Sequence, residues 1–257
     1  MSLGMIGQGA IARIALETLR KCQASVANDV IILTREGASD LRLPDCGTRS
    51  VDQVEALIEA RPQLICEAAG HDAVRAYGEA VLKAGIDFII TSIGALGDEA
   101  LHERLQAGAV SSGARLILAT GAIGGLDILS AAKLSGLTSV TYTARKPPSA
   151  WGLAHRASAE IFTLYDGPAR EAVMAFPKNA NVAAAVALAG IGFEATRVRL
   201  LADPGITRNI HEIQFASAAA DVRIEIIGHA APDNPKTSLT TGFSLARAIL
   251  DHGERRS

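Results

Sequence analysis

Aromatic residues are scarce in this chain, only 4% of 257 positions, and basic residues do not outnumber acidic ones. With 25 Lys and Arg against 27 Asp and Glu, the formal charge is −2. Few aromatics leave few stacking platforms for single-stranded nucleic acid. A balanced charge removes the positive surface that phosphate neutralisation requires, and equally the polybasic anchor of a membrane-surface protein. Long apolar runs are missing too, although 49% of the residues are apolar. The longest nearly polar-free stretch, Val182 to Phe193, is about half of the roughly 20 residues a bilayer crossing needs. The opening Met-Ser-Leu-Gly-Met-Ile-Gly has no basic lead and no extended apolar region, so no secretory signal is expected. Cys22, Cys46 and Cys66 are too few and too scattered for a disulfide framework or a zinc site. They read as small apolar fillers of a reduced, cytoplasmic protein, with a catalytic thiol at Cys66 as the alternative. No H-x-x-x-H, C-x-x-C or carboxylate cluster has metal-ligand spacing, so no metal is expected, and no G-x-S-x-G offers a serine nucleophile.

What is present is alternation. Short apolar runs at Leu3–Ile6, Val30–Thr34, Leu64–Cys66, Phe88–Thr91 and Arg115–Ala119 alternate with helix-period segments at Ala10–Cys22, Val51–Ala60, Asp72–Ala84 and Asp98–Val110. That rhythm predicts βαβ crossovers and a Rossmann-type doubly wound parallel sheet over residues 1–120. After the glycines Gly121, Gly124 and Gly125 the pattern changes. A helix over Leu126–Leu134 is followed by β-rich segments at Ser139–Arg145, Arg197–Leu201 and Ile210–Ile227, the last broken into a hairpin around Ala218–Asp221. Helices at Ala169–Ala175 and Ala180–Leu188 would cover this mostly antiparallel sheet, giving a second α+β domain over 121–230. A final helix, Ser238–Asp251, within a C-terminal segment 231–257, is expected to pack back on the first domain. A cleft is expected near Gly121–Gly125.

Three groups of residues point to chemistry. Gly7-Gln-Gly9-Ala10-Ile11-Ala12 is a G-x-G-x-x-A between a strand and a helix. Gly7 permits the tight turn, Gly9 lets the backbone approach a pyrophosphate, and Ala12 keeps the helix close to the strand. The helix N-terminus directs unpaired N–H groups at the anion. Second, the strand ending Leu33-Thr34-Arg35-Glu36 carries no acid directly at its end. Arg35 suits a 2′-phosphate, so NADP should be accepted, while Glu36 could still serve the ribose of NAD. Small residues at Glu67-Ala-Ala-Gly70-His71, Ser92-Ile-Gly94 and Thr120-Gly121-Ala122 leave room for the rest of a dinucleotide. Third, Phe176-Pro-Lys178-Asn179-Ala180-Asn181 has more polar groups than a helix cap needs. Asn209-Ile-His211-Glu212-Ile213 lies on a period-2 strand. His211 is either a buried polar residue or a base, and His155 competes with it. His71, His102 and His252 are explained by solvent.

Taken with Gly121-Ala-Ile-Gly-Gly-Leu-Asp127, Arg145-Lys-Pro-Pro148, Asp203-Pro204 and Asn234-Pro-Lys-Thr-Ser238, these motifs resemble the L-aspartate dehydrogenase family, in order through almost the whole chain. The resemblance implies NAD(P)-dependent oxidative deamination of L-aspartate to oxaloacetate and ammonia through iminoaspartate, an imine that can feed NAD biosynthesis. It implies cofactor contacts at Ala122 and Asn181 and a catalytic histidine at His211. By fold analogy it is expected to be a homodimer. The stretch between Ala150 and Phe176, which contains Pro168, is shorter than the family pattern suggests. The neighbouring possibilities are a two-domain reductase of the dihydrodipicolinate reductase or homoserine dehydrogenase type, and a non-catalytic NAD(P)-binding sensor. Arg145, Lys146, Lys178 and Lys236 are candidate partners for substrate carboxylates, and surface charges on the plainer reading.

Overall fold

The structure, a computed structural model, describes residues 2–35, 47–153, 160–231 and 234–254. It divides into two compact units, Met1–Ala119 with Thr241–Ser257, and Thr120–Thr240.

In the first unit the strands are β1 (Leu3–Ile6), β2 (Asp29–Leu33), β3 (Gly47–Val51), β4 (Leu64–Glu67), β5 (Asp87–Ile90) and β6 (Leu116–Leu118), in the order β3-β2-β1-β4-β5-β6. Every pairing is parallel. The helices α1 (Ala10–Lys21), α2 (Val54–Glu59), α3 (His71–Lys83) and α4 (Glu99–Ser112) make the crossovers. This is the doubly wound Rossmann order, whose strand sequence reverses between β1 and β4. β1 and β4 are buried at every position, which is why Leu-Gly-Met-Ile and Leu-Ile-Cys-Glu do not alternate. Gly4 is needed there, because a Cβ would lie 2.7 Å from Ile65 Cγ1. α1 buries Ala12, Ala15, Leu16 and Leu19 against the sheet. α4 starts on Asp98, whose carboxylate accepts from the Leu101 N–H at 3.1 Å.

One element differs from the expectation. The helix anticipated from Val51 begins only at Val54, because Gly47–Val51 is the edge strand β3. Its Gly-Thr-Arg-Ser-Val sequence hides the strand, since an outermost strand covers little core and needs no apolar alternation.

The second unit holds α5 (Leu126–Leu134), β7 (Leu137–Lys146), β8 (Phe162–Pro168), α6 (Ala169–Ala175), α7 (Ala180–Ala189), α8 (Gly192–Ala195), β9 (Arg197–Ala202), β10 (Ile210–Ser217) and β11 (Asp221–Ile227). The sheet order is β11-β10-β7-β9-β8, antiparallel except for the parallel β7–β9 pair. β8 was not foreseen; it is an edge strand ending in Pro168, a position where the missing N–H breaks no ladder. A two-stranded pair follows, β12 (Ala230–Ala231) with β13 (Asn234–Ser238). The last helix, α9 (Leu239–Glu254), returns to the first unit, where Leu245, Ala246 and Ile249 join the core around β1 and α1. Gly242 sits against Ile14, whose side chain a Cβ would meet at 2.5 Å. Near its end, His252 Nε2 meets Asp87 Oδ2 at 2.8 Å, and Arg115 donates to the same oxygen from Nη2 at 2.8 Å. Burial pushes the Asp87 carboxyl up, but the Arg115 and His252 bonds outweigh it and hold it low. Among the described residues, no helix is long and apolar enough to cross a membrane.

Candidate active site

The glycine turn follows directly from the end of β1. Gly7 has φ +98°, and a Cβ there would lie 2.8 Å from Ala69 Cβ and 2.9 Å from the Ala68 carbonyl oxygen. Only glycine fits. Gly9 is the N-cap of α1, and a Cβ on it would meet nothing within 4 Å, so the space in front of the helix is open. No side chain caps this end and no acid occupies the first turn. The N–H groups of the first turn, at Ala10, Ile11 and Ala12, therefore keep the positive end of the helix dipole available. Gln8 Oε1, in the same turn, is buried with no hydrogen-bond partner among the described residues. An open cradle, an uncapped helix end and an unpartnered polar atom fit the pyrophosphate of a dinucleotide. Arg35 stands exposed two residues beyond β2, and Glu36 lies outside the described residues.

Beside this turn, at the end of β4, Glu67 is fully buried. Its Oε1 accepts from the N–H of Ala69 at 2.6 Å, of Gly70 at 2.7 Å, and from Ser92 Oγ at 2.9 Å; Oε2 accepts from the Ser92 N–H at 3.1 Å. One carboxyl thus clasps the loops after β4 and β5, including the Ala68–Ala69 segment that crowds Gly7. Burial raises its pKa, and the four bonds pull against that shift. Burial, then the Glu67 charge, pushes the neighbouring Cys66 thiol up, so it stays protonated and unreactive.

In the second unit, alternation along β7 and β10 puts Tyr142, Ala144 and Lys146 on the face that carries His211 and Ile213. His211 is 4% exposed, and its Nδ1 lies 2.7 Å from Tyr142 Oη. The two rings are stacked, 6.0 Å apart and 10° from parallel. Burial, and then the positive charge of Lys146, lowers the His211 pKa to about 3. A ring removed from water beside an ammonium resists a proton. Burial also raises the Tyr142 pKa, so its hydroxyl stays neutral. Lys146 Nζ donates to Asn179 Oδ1 and lies 5.1 Å from the centre of the Trp151 ring. Asn179 occupies the N-cap position of α7 but makes no cap bond, because its side chain turns to Lys146 instead. Arg145, alternating to the opposite face, donates to Asp203 Oδ2 from Nη2 at 2.6 Å. Ala122 is buried in the loop before α5, and Asn181 is exposed on the first turn of α7. That loop presses on β11: a Cβ on Gly124 would lie 3.5 Å from Ile226, the cross-strand neighbour of His211. His155 lies outside the described residues.

With this geometry in view, comparison with known proteins is decisive. The profile of the aspartate dehydrogenase C-terminal domain matches residues 127–252. An L-aspartate dehydrogenase of Pseudomonas aeruginosa is 39% identical, over 98% of this chain and 97% of that protein. The chain belongs to the aspartate dehydrogenase family. Residues 4–119 match the NAD binding domain of homoserine dehydrogenase, so the first unit is a nicotinamide-dinucleotide domain. The solved aspartate dehydrogenase of Thermotoga maritima has a TM-score of 0.81 at 28% identity, covering 98% of this chain and 96% of that one. A dihydrodipicolinate reductase from Paenisporosarcina, at 13% identity and a TM-score of 0.55, shares the fold alone.

Sequence reasoning passed over Tyr142 and Glu67. A tyrosine in a period-2 strand looks like core, and only the diagonal pairing with β10 brings it to His211. Glu67 had one signal, an acid closing an apolar strand, and its four donors come from two loops that the fold alone assembles.

Proposed function

We propose that this chain is an NAD(P)-dependent L-aspartate dehydrogenase, oxidising L-aspartate to iminoaspartate, which water converts to oxaloacetate and ammonia. The observation that carries this reading is His211, a buried neutral imidazole held by Tyr142, in a chain 39% identical to an L-aspartate dehydrogenase over nearly its whole length. Gly7, Gly9, Ala10, Ile11 and Ala12 would hold the pyrophosphate of the dinucleotide, Arg35 its adenosine end, and Ala122 and Asn181 its nicotinamide end. When bound, the nicotinamide accepts the hydride that leaves the substrate Cα. The chain's own task is the proton. With Nδ1–H donating to the Tyr142 oxygen, Nε2 presents a lone pair to the water that adds to the imine carbon, and His211 takes the proton released. The exposed Arg35, with no acid directly at the end of β2, supports acceptance of NADP as well as NAD. We also take the protein to be a cytoplasmic homodimer whose imine product can enter NAD biosynthesis.

The test is a matrix of L-aspartate, L-homoserine and L-glutamate against NAD and NADP, followed by reduced nucleotide formation. Turnover of L-aspartate is expected, and His211→Ala should lower it at least about 100-fold with nucleotide affinity retained. Turnover of L-homoserine in place of L-aspartate, or nucleotide binding without turnover of any amino acid, would overturn the reading.

A further inference from the structure

We propose that Lys146 is the anchor for one carboxylate of the substrate, an inference that rests on the dehydrogenase reading above. Lys146 is the last residue of β7 and shares a sheet face with Tyr142 and His211, two residues beyond Ala144, the direct cross-strand partner of His211. Its ammonium contacts the Oδ1 of Asn179 and lies over the indole of Trp151, and Ala202 is the backbone partner of Lys146 on the neighbouring strand. Among the described residues it has no carboxylate partner. The acid best placed to serve, Asp203, whose N–H donates to the Lys146 carbonyl at 2.9 Å, has given its carboxylate to Arg145 and to the Gly205 N–H at 2.8 Å. The consecutive pair Arg145-Lys146 is thus split: one cation is neutralised on one face of the strand, and the other, on the face of the candidate base, has no counter-ion among the described residues.

A half-buried ammonium with no anion beside it is costly, as the lowering of the Lys146 pKa to about 8 by lost hydration reflects. Its retention beside His211 is explained by a ligand that brings the negative charge. An ammonium has three N–H donors, of which Asn179 takes one, so two remain for a carboxylate. Binding there has a second effect. Lys146 helps hold His211 unprotonated, so a carboxylate that neutralises it makes the imidazole more basic when substrate arrives.

The test uses the full-length protein with whichever nicotinamide dinucleotide it turns over. Lys146→Met should raise the KM for L-aspartate about 10–100-fold and weaken binding of succinate, measured calorimetrically, by a similar factor. The KM for the dinucleotide should stay the same. Because the variant removes a half-buried charge that no carboxylate among the described residues compensates, it should melt at the same temperature as the parent or higher. Lys146→Arg, which keeps the charge, should recover most of the succinate affinity. Succinate binding unchanged in Lys146→Met would overturn the proposal. So would equal losses in both variants, since the defect would then follow shape and not charge. A parent protein that does not oxidise L-aspartate would instead refute the functional reading, whatever the variants do.

Discussion

His211 should make this protein sensitive to mild acid in a way that one substitution removes. In the folded chain its pKa lies at about 3, lowered by burial and then by Lys146, whereas a histidine in an unfolded chain titrates at about 6.5. Between these two values the unfolded chain binds a proton that the folded chain refuses, so stability falls as pH drops below about 6.5 and keeps falling toward about 3. Each pH unit within that window is worth about 1.4 kcal/mol. From pH 7.5 to pH 5 the loss comes to about 2 kcal/mol, and because the native ring is still neutral at pH 5 its size is set by the unfolded chain alone. His211→Gln keeps an N–H donor for the Tyr142 oxygen and has no proton to take up. Urea unfolding at pH 7.5, 6 and 5 compares the two proteins. Trp151, the single tryptophan, belongs to the same unit as His211 and provides the fluorescence signal. Carboxyls displaced toward this range, such as Glu67, whose pKa burial raises, are common to both proteins and cancel in the difference. The variant should lose about 2 kcal/mol less than the parent over this interval. Parallel pH dependences would mean that His211 is protonated in the folded state, and the description of a neutral buried imidazole would fail.

Three further outcomes follow from the first unit. Gly9→Ala should change stability by no more than about 1 kcal/mol yet weaken dinucleotide binding at least tenfold, about 1.4 kcal/mol, whereas Gly7→Ala should destabilise by about 2 kcal/mol or more through its positive φ and its contact with Ala69; thermal melting with and without NADPH separates the two, and equal behaviour would remove the distinction between approach and turn. Glu67→Gln keeps one acceptor oxygen but turns its amide N–H against the Ser92 N–H, and should cost about 1–3 kcal/mol, read as a lowered unfolding midpoint, with no loss counting against the clasp. Asp87→Ala leaves His252 and Arg115 without their shared acceptor and should cost about 3 kcal/mol, with faster amide exchange along α9; unchanged exchange there would show that the helix is held by its apolar face alone.

The sequence by itself determined the architecture of the first unit, because each strand–helix alternation is written in short-range periodicity and Gly7, Gly9 and Ala12 have local reasons to be small. It also determined the β-rich character of the second unit and placed His211 on a period-2 strand as a candidate beside His155, a choice that only the family resemblance weighted toward His211. Edge strands β3 and β8 were not legible, since a strand that covers no core carries no apolar pattern. What only the tertiary structure decided is the electrostatic state of the candidate site. Tyr142 lies 69 residues from His211 and Asn179 lies 33 from Lys146, and neither spacing is a motif. Burial, set by the whole sheet and the helices on it, turned an ordinary histidine into a neutral one and left a lysine that reads as surface with no carboxylate partner among the described residues. Desolvation depends on everything that excludes water around a group, and a linear pattern records only its neighbours along the chain.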